Sequence, residues 1–573
     1  MKNIFFKLNF IITSKRRLQL LVLIFLLLVG IILEIFGITM ILPIIGFISD
    51  EKVFENYPKL INFLNNLNLN SSISIQIFLL ITLGVVYFIK TFFLIVLSFF
   101  QNKFIYVTIR DLHNSLFKSY INQPYETFHK KNSSDYIKVL QTETGYFTTY
   151  LGAIINLITE SALSLAVLLV LIYIEPIGAF TLVTFFLIVS YSFYQLTRGK
   201  LKIWGTSREK LDRNISQIIH EGFSNIREIK IFDTSTYFLN KLKNNNFLKA
   251  KITYLQTTLI QSPRFFLELV SVIGLILFIL SLIFQESDLN KLISTLGVFV
   301  AGSFRILPSL NRIITSRQYL KYYDNILDVI YNELHGANDN LKEELPPIRF
   351  NEKIHFSNIS FKYLGTEKNV LENINMEIKK GSLVGVIGDS GSGKSTLIDI
   401  LSGLLKLQGG EIRIDNKKLD FDNYSLSRII GYVSQRTNLL DSTIIENIAF
   451  GDIDPNIEEV KNSLIDSQLM EFINTLPNGI YTKIGENGVN FSGGQIQRIS
   501  IARALYRKPQ ILIFDEATSA LDSNTERKLI ESIGKLKGKM TIIMIAHRLT
   551  SLSKCDYVYE LKKSNIILKN NIK

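Results

Sequence analysis

Four long apolar stretches dominate the first 310 residues, at 18–48, 73–100, 151–196 and 255–310, while 320–573 alternates apolar and polar positions like an ordinary soluble domain. A stretch of about 20 apolar residues is long enough to cross a ~30 Å hydrocarbon core as a helix. The first half therefore reads as a membrane domain and the second as a soluble one. Leu18 to about Phe47 is the first predicted span, too long for the core of a cleaved signal and without a small-residue cleavage site. A second span covers 73–100, and 151–196 holds two more around a hinge at Glu175-Pro176. Two further spans are expected at 256–284 and 289–311. Six spans put both ends of the chain on one side.

Charge decides which side that is. Segment 101–150 carries Lys103, Arg110, Lys118, Lys130, Lys131 and Lys138, and 197–255 is richer still, from Arg198 through Lys230. The turn near 175 has no basic residue, and that near 286–291 has only Lys291. Basic loops stay cytoplasmic, so both termini are expected there, in a bacterial cytoplasmic membrane. The two basic segments keep helical periodicity, as in DRNISQIIHEGFSNIREIKIF (212–232). The membrane helices are thus expected to run on into the cytoplasm and turn at short transverse helices near Ser133–Asp135 and Gly222–Asn225. The leading IFFKLNFII is either an interfacial amphipathic helix or a frayed end.

Composition fits this division. The 573 residues are 47% hydrophobic, with a mean hydropathy of +0.24. The net charge of +13 is concentrated in the loops between apolar runs, which argues for membrane topology and against a nucleic-acid partner. Cys555 stands alone, which excludes an internal disulfide and a cysteine metal site. The expected division is a membrane domain over 1–320, a linker over 321–347 and a soluble α/β domain over 348–573.

VGVIGDSGSGKSTLI (384–398) reads as strand, glycine-rich turn and helix start. It fits the phosphate-loop pattern at Gly388, Gly393, Lys394 and Ser395, with Asp389, Ser390, Gly391, Ser392 and Thr396 completing the loop and helix start. Backbone amides of such a loop surround phosphates, the lysine reaches the β/γ oxygens, and the serine hydroxyl can ligate Mg²⁺. ILIFDE (511–516) reads as a buried strand ending in two carboxylates. Asp515 would face a Mg²⁺ ion and Glu516 would orient or deprotonate an attacking water. ATP and Mg²⁺ are the implied cofactors.

FSGGQIQRISIARAL (491–505) then resembles the signature of the ATP-binding cassette (ABC) family, joined in family order by ISFKY (359–363), VSQ (433–435), TKIGENG (482–488), SALD (519–522) and IAHR (545–548). The fold implied is a polytopic α-helical membrane domain of six transmembrane helices followed by an α/β P-loop cassette. The resemblance implies that Tyr363 stacks on adenine, Gln435 contacts Mg²⁺ and the attacking water, His547 holds the γ-phosphate, and Asp522 belongs to an inter-subunit loop. It also implies that Ser492, Gly493, Gly494 and Gln495 complete the ATP site of a second cassette, so that this chain is half of a transporter. A homodimer through both domains follows from the presence of Glu516, Ser492 and His547 together. Phe491 departs from the family's usual leucine, a change expected to affect packing only.

Three cations fall inside the predicted spans. At a rise of ~1.5 Å per residue, Arg264 lies roughly 12 Å in from the cytoplasm, and Lys90 and Arg305 each lie roughly 24 Å from the outer edge. Together they form a candidate site for a phosphate-bearing cargo, although Arg264 and Glu268 can also pair on one helix face and Lys90 can extend to the interface. Glu34 and Glu160 are intramembrane acids with no assigned role beyond pairing or polar contact. LEIFGITMILPIIGFISD (33–50), SPRFFLE (262–268), FRILPSLNRIITS (304–316) and YYDNILDVIYNEL (322–334) resemble bacterial flippases that move lipid-linked oligosaccharides for N-glycosylation. That resemblance implies an ATP-driven flippase for a polyprenyl-pyrophosphate-linked saccharide, with Lys90, Arg264 and Arg305 engaging the pyrophosphate. It also implies a helix over 51–70 against the lipid tail. Export of another lipid, a peptide or a drug is the alternative.

Overall fold

In the computed structural model the backbone is described over 2–49, 72–128, 131–174, 176–284, 289–335, 346, 348–363, 366–420, 426, 428–435, 437–485, 488–517, 523–546 and 552–569. The expected helix at 51–70 lies outside these residues. The chain divides into two compact units. The first comprises Met1–Gln123 and Lys130–Asn340, and the second comprises Pro124–His129 and Leu341–Lys573.

The first unit is helical. Its elements are α1 (Lys2–Ile11), α2 (Ser14–Ser49), α3 (Ser72–Ile121), α5 (Ser133–Lys138), α6 (Thr144–Ile174), α7 (Pro176–Ser224), α8 (Ile226–Ile231), α9 (Ser235–Phe284), α10 (Leu289–Tyr322) and α11 (Ile326–His335); the intervening α4 (Tyr125–Phe128) belongs to the second unit. Four stretches among the described residues are long and apolar enough to cross a membrane: Ser14–Gly37, Ile77–Ile121, Ser133–Tyr173 and Ser235–Ile276. Their outer faces stay apolar, as at Phe88, Phe92 and Ile95 of α3, which are more than 60% exposed. Such a surface suits lipid rather than water.

α3, α7 and α9 each continue far beyond a bilayer's thickness, as the periodicity predicted. The chain turns earlier than expected after α3, because Pro124 cannot continue a helix. The second reversal falls at Asn225, beside the expected 222–225. The stretch assigned to a linker contains α11, whose Ile326, Leu327 and Ile330 are buried in the helical unit's core. α1 is neither frayed nor merely interfacial. Phe10 packs edge-on against Tyr331 at 5.2 Å, and Lys7 pairs with Asp328.

Two devices hold the cytoplasmic ends together. The first is Arg208, only 3% exposed, whose guanidinium lies 4.1 Å from the Tyr146 ring, 4.7 Å from Tyr323 and 5.3 Å from Tyr322. Asp212 balances its charge at 3.8 Å, accepts from the Tyr146 hydroxyl at 3.1 Å and meets Lys249 at 2.6 Å. This joins α6, α7, α9 and the end of α10 in one node of cation–π and ionic contact. The second device repairs a break. Pro263 has no N–H to offer the Leu259 carbonyl. That carbonyl instead accepts from Ser262 Oγ at 2.8 Å and from the buried Gln318 Nε2 at 3.3 Å.

The second unit contains two sheets. β1 (Lys353–Phe361), β2 (Leu371–Lys379), β4 (Gly409–Ile414) and β5 (Lys417–Lys418) form an antiparallel sheet in the order β2-β1-β4-β5. β3 (Leu383–Gly388), β6 (Ile430–Val433), β7 (Ile511–Asp515), β8 (Thr541–Ile545), β9 (Tyr557–Lys562) and β10 (Asn565–Lys569) form the other, ordered β10-β9-β3-β8-β7-β6. All its pairings are parallel except that of β9 with β10. Every residue of β7 and β8 is buried, as expected of central parallel strands covered on both faces.

α7 and α10 approach so closely at Gly205 that a Cβ there would sit 2.1 Å from the Tyr322 carbonyl oxygen, whereas a Cβ at Gly199 would meet nothing within 4 Å. Gly205→Ala is therefore expected to cost about 1–3 kcal/mol by overpacking, and Gly199→Ala to be neutral or slightly stabilising. Thermal unfolding of the detergent-purified protein reads the difference; equal midpoints for the two variants would contradict this packing.

Candidate functional site

The parallel register sets the site. Asp515 pairs with Ile545 and Phe514 with Val433, while Val386 of β3 pairs with Ile545 from the other side. The carboxyl ends of β3, β8, β7 and β6 therefore lie side by side, where open α/β sheets bind ligands.

β3 runs through the glycine-rich turn into α12 (Lys394–Leu401). Gly393 is left-handed at φ 103°, and a Cβ there would lie 2.9 Å from Leu371 Cδ2, so both conformation and space demand glycine. Asp389, Ser390 and Gly391 are exposed, leaving their backbone open to an anion, and Ser392 is half-buried. Lys394, 5% exposed, donates to the carbonyls of Gly388 at 2.9 Å and Asp389 at 3.0 Å. Its ammonium thus sits within the loop. Ser395 is exposed beside it, and the buried Thr396 shares a 3.0 Å hydrogen bond with the Tyr363 hydroxyl. The Tyr363 ring stands edge-on to Phe361 at 5.2 Å.

Across the sheet edge, Asp515 is 8% exposed. Burial and the neighbouring Glu516 charge push its pKa up, opposed by a hydrogen bond from Tyr432 and by Lys394. That bond, Tyr432 Oη to Asp515 Oδ2, measures 3.0 Å. Glu516 adopts φ 51°, unusual for a non-glycine residue and costing of order 1–3 kcal/mol. Its N–H is held by the Ile545 carbonyl at 3.1 Å. Gln435 Nε2 meets Glu516 Oε2 at 2.5 Å, so the two residues expected to manage a water are already in contact. Ser395, Gln435 and Asp515 offer a hydroxyl, an amide oxygen and a carboxylate. An all-oxygen set containing a buried carboxylate fits Mg²⁺. Tyr432 was not anticipated, because only the β6–β7 register reveals that it reaches Asp515.

The SGGQ stretch opens α13 (Gly493–Tyr506) with a capping box. Ser492 Oγ accepts from the Gln495 N–H at 3.4 Å, and Gln495 Oε1 accepts from the Ser492 N–H at 2.8 Å. These side chains shape the helix start, and the first-turn amides at Gly493 and Gly494 have no intrahelical acceptor. Phe491 packs edge-on against Phe472 at 5.9 Å, a packing role as expected. Asp522 and His547 lie outside the described residues.

The structure does not leave the intramembrane cations free. Lys90, 9% exposed, meets Glu34, which is fully buried, at 3.1 Å, so it neither extends to the interface nor stands ready as an unpaired anion ligand. Burying an ammonium in apolar surroundings requires such a counter-charge. Arg264 pairs with Glu268 at 3.0 Å on the exposed face of α9. Neither an ion pair nor a hydrogen bond joins Lys90 to Arg264 among the described residues. Arg305 falls on α10, with its side chain outside the described set. Glu160 is paired too: Ser309 Oγ donates to it at 2.8 Å, and Arg312 binds its other oxygen.

The chain matches the ABC transporter transmembrane region over residues 20–302 and the ABC transporter ATP-binding domain over 371–519. An ABC transporter ATP-binding protein of Bacillus subtilis is 30% identical, over 80% of each chain. An ATP-dependent lipid A-core flippase of Coxiella burnetii is 28% identical, over 82% of this chain and 80% of its own. A solved bacterial Atm1-family ABC exporter with ATP bound shares the fold at a TM-score of 0.77 and 20% identity, over 96% of this chain and 94% of its own. With its helical membrane region, phosphate loop and signature helix, the chain belongs to the ABC transporter family, as a membrane-spanning, ATP-hydrolysing exporter.

Proposed function

We propose that this exporter is a flippase that moves a polyprenyl-pyrophosphate-linked saccharide from the cytoplasmic to the outer leaflet of a bacterial inner membrane, with both termini cytoplasmic and the working unit a homodimer. The observation that carries this reading is a set of basic side chains on apolar helices, each paired with a carboxylate that a phosphate can replace. A pyrophosphate reaching Lys90 would take the place of Glu34, and at Arg264 that of Glu268. When the cargo leaves, each carboxylate would recover its cation, so no charge stays uncompensated in hydrocarbon. Relatives named lipid A-core flippases support a lipid cargo with a saccharide headgroup. They also favour a second reading, in which the cargo is an acylated saccharide lipid of that kind.

In the cassette, the loop amides from Asp389 to Thr396 and Lys394 would hold the ATP phosphates, and Tyr363 would stack on the base. Bound Mg²⁺ supplies positive charge against the phosphates, and Ser395, Asp515 and Gln435 are the residues that would hold it. Glu516, oriented by Gln435, would accept the proton of the attacking water, with His547 at the γ-phosphate. Ser492, Gly493, Gly494 and Gln495 would close the site of the second cassette, with Asp522 at the inter-subunit contact.

Two outcomes are expected. Glu516→Gln should lower ATP hydrolysis by at least 100-fold and abolish flipping of a fluorescent lipid-linked oligosaccharide in proteoliposomes, while nucleotide binding persists; hydrolysis near the wild-type rate would remove Glu516 from this role. Arg264→Ala with Arg305→Ala should keep basal hydrolysis within about twofold and lose at least tenfold in flipping of the same lipid. If that variant flips normally, the arginines are structural and the pyrophosphate reading loses its ligands.

A further inference from the structure

A cleft of about 390 Å³ opens between α3 and α6, a size that suits a small ligand. Two helical stripes build it. On α3 the lining positions are 98, 101, 102, 105 and 106, and on α6 they are 148, 149, 152, 155 and 156. Both follow the three-and-four spacing of a single helix face. Gly152 leaves the space open: a Cβ there would come no closer than 3.7 Å to Ile105.

The lining chemistry is unusual for helices this apolar. Gln101, Asn102, Thr148, Thr149 and Asn156 supply amides and hydroxyls, and Tyr106 is the only ionisable group. Gln101 Nε2 donates to Thr159 at 2.9 Å and Thr148 Oγ1 to the Thr144 carbonyl at 3.1 Å. Asn102 has only a 3.5 Å contact with Ser98. The side chains of Thr149, Asn156 and Tyr106 make no hydrogen bond among the described residues. Polar groups on membrane helices ordinarily find partners within the protein, so a row left open points to a ligand with many donors and acceptors.

We propose that this cleft is a subsite for the uncharged saccharide of the lipid cargo. The proposal rests on the flippase reading above and deepens it. Sugar hydroxyls both donate and accept, matching amide and hydroxyl side chains, and a sugar's apolar face can lie on the Tyr106 ring. A phosphate would seek cations, and none lines the cleft. The depth also fits. Asn102 lies 25 residues beyond Ile77, where the second candidate span begins, so about 38 Å along the helix. That is past a ~30 Å core, at the level of cytoplasmic-leaflet headgroups in the orientation proposed above. Pyrophosphate and saccharide would thus be read by separate surfaces, one ionic and one neutral.

The test uses the full chain in proteoliposomes with two fluorescent probes, polyprenyl pyrophosphate carrying a neutral oligosaccharide and the same lipid without sugar. Asn102→Leu with Asn156→Leu, and separately Gly152→Leu, should lower flipping of the glycosylated lipid at least tenfold while the sugar-free lipid and basal ATP hydrolysis change less than twofold. Equal losses on both lipids, or no loss on the glycosylated one, overturn the subsite. A benzophenone on the terminal sugar should label peptides containing 98–106 or 148–156. Absence of that label overturns the subsite whatever is flipped. If the label appears but wild type flips neither lipid, the flippase reading falls and the subsite stands. Loss of the label under excess free oligosaccharide, with flipping unaffected, would assign the cleft to soluble sugar and overturn a lipid-borne ligand.

Discussion

A charge cannot remain alone in hydrocarbon, and the membrane helices of this protein are arranged around that constraint. Glu34 and Glu160 lie within predicted spans and are 0% and 5% exposed. Each is answered from another helix, Glu34 by Lys90 of α3 and Glu160 by Arg312 and Ser309 of α10. Breaking such a buried pair by removing one partner typically costs about 3–5 kcal/mol, so α2 is pinned to α3, and α6 to α10. The pairs also limit what the cations can do. A cargo phosphate competes with a carboxylate already in place, which makes binding an exchange of counter-ions rather than occupation of vacant charges.

The cassette works from a different constraint, the register of parallel strands. Four neighbouring strands end level, and the phosphate loop, Asp515, Glu516 and Gln435 share one edge because of it. Glu516 pays for its position with a left-handed backbone, held by the Ile545 carbonyl. Strain at such a residue is tolerated where the surroundings over-determine it. The signature serine and glutamine cap their own helix. The amides of that helix's first turn remain for a ligand, as fits a half-transporter of a family whose members typically dimerise.

Local patterns carried most of the fold. Apolar runs marked the long helices, periodicity marked their cytoplasmic extensions, and the glycine and lysine spacing marked the phosphate loop. The misplaced first turn had a local cause that was legible, since Pro124 ends α3 before the basic residues near 133. The capping box was legible as well, because Ser492 and Gln495 stand three apart before an apolar run. What the sequence could not yield were contacts between distant segments. Lys90 and Glu34 are 56 residues apart and Arg312 and Glu160 are 152 apart, so depth alone suggested free cations where the fold places pairs. Tyr432 likewise meets Asp515 only through strand register. The Arg208 node depends on four segments converging, and no spacing rule announces it.

The central claim is that the cargo is a saccharide carried on a polyprenyl pyrophosphate. The most direct measurement is ATP hydrolysis by the reconstituted protein, in vesicles containing equal amounts of a polyprenyl-pyrophosphate-linked oligosaccharide or of lipid A core. The account predicts severalfold stimulation by the first and none by the second. Stimulation by lipid A core alone would contradict it and assign the membrane domain to an acylated saccharide lipid.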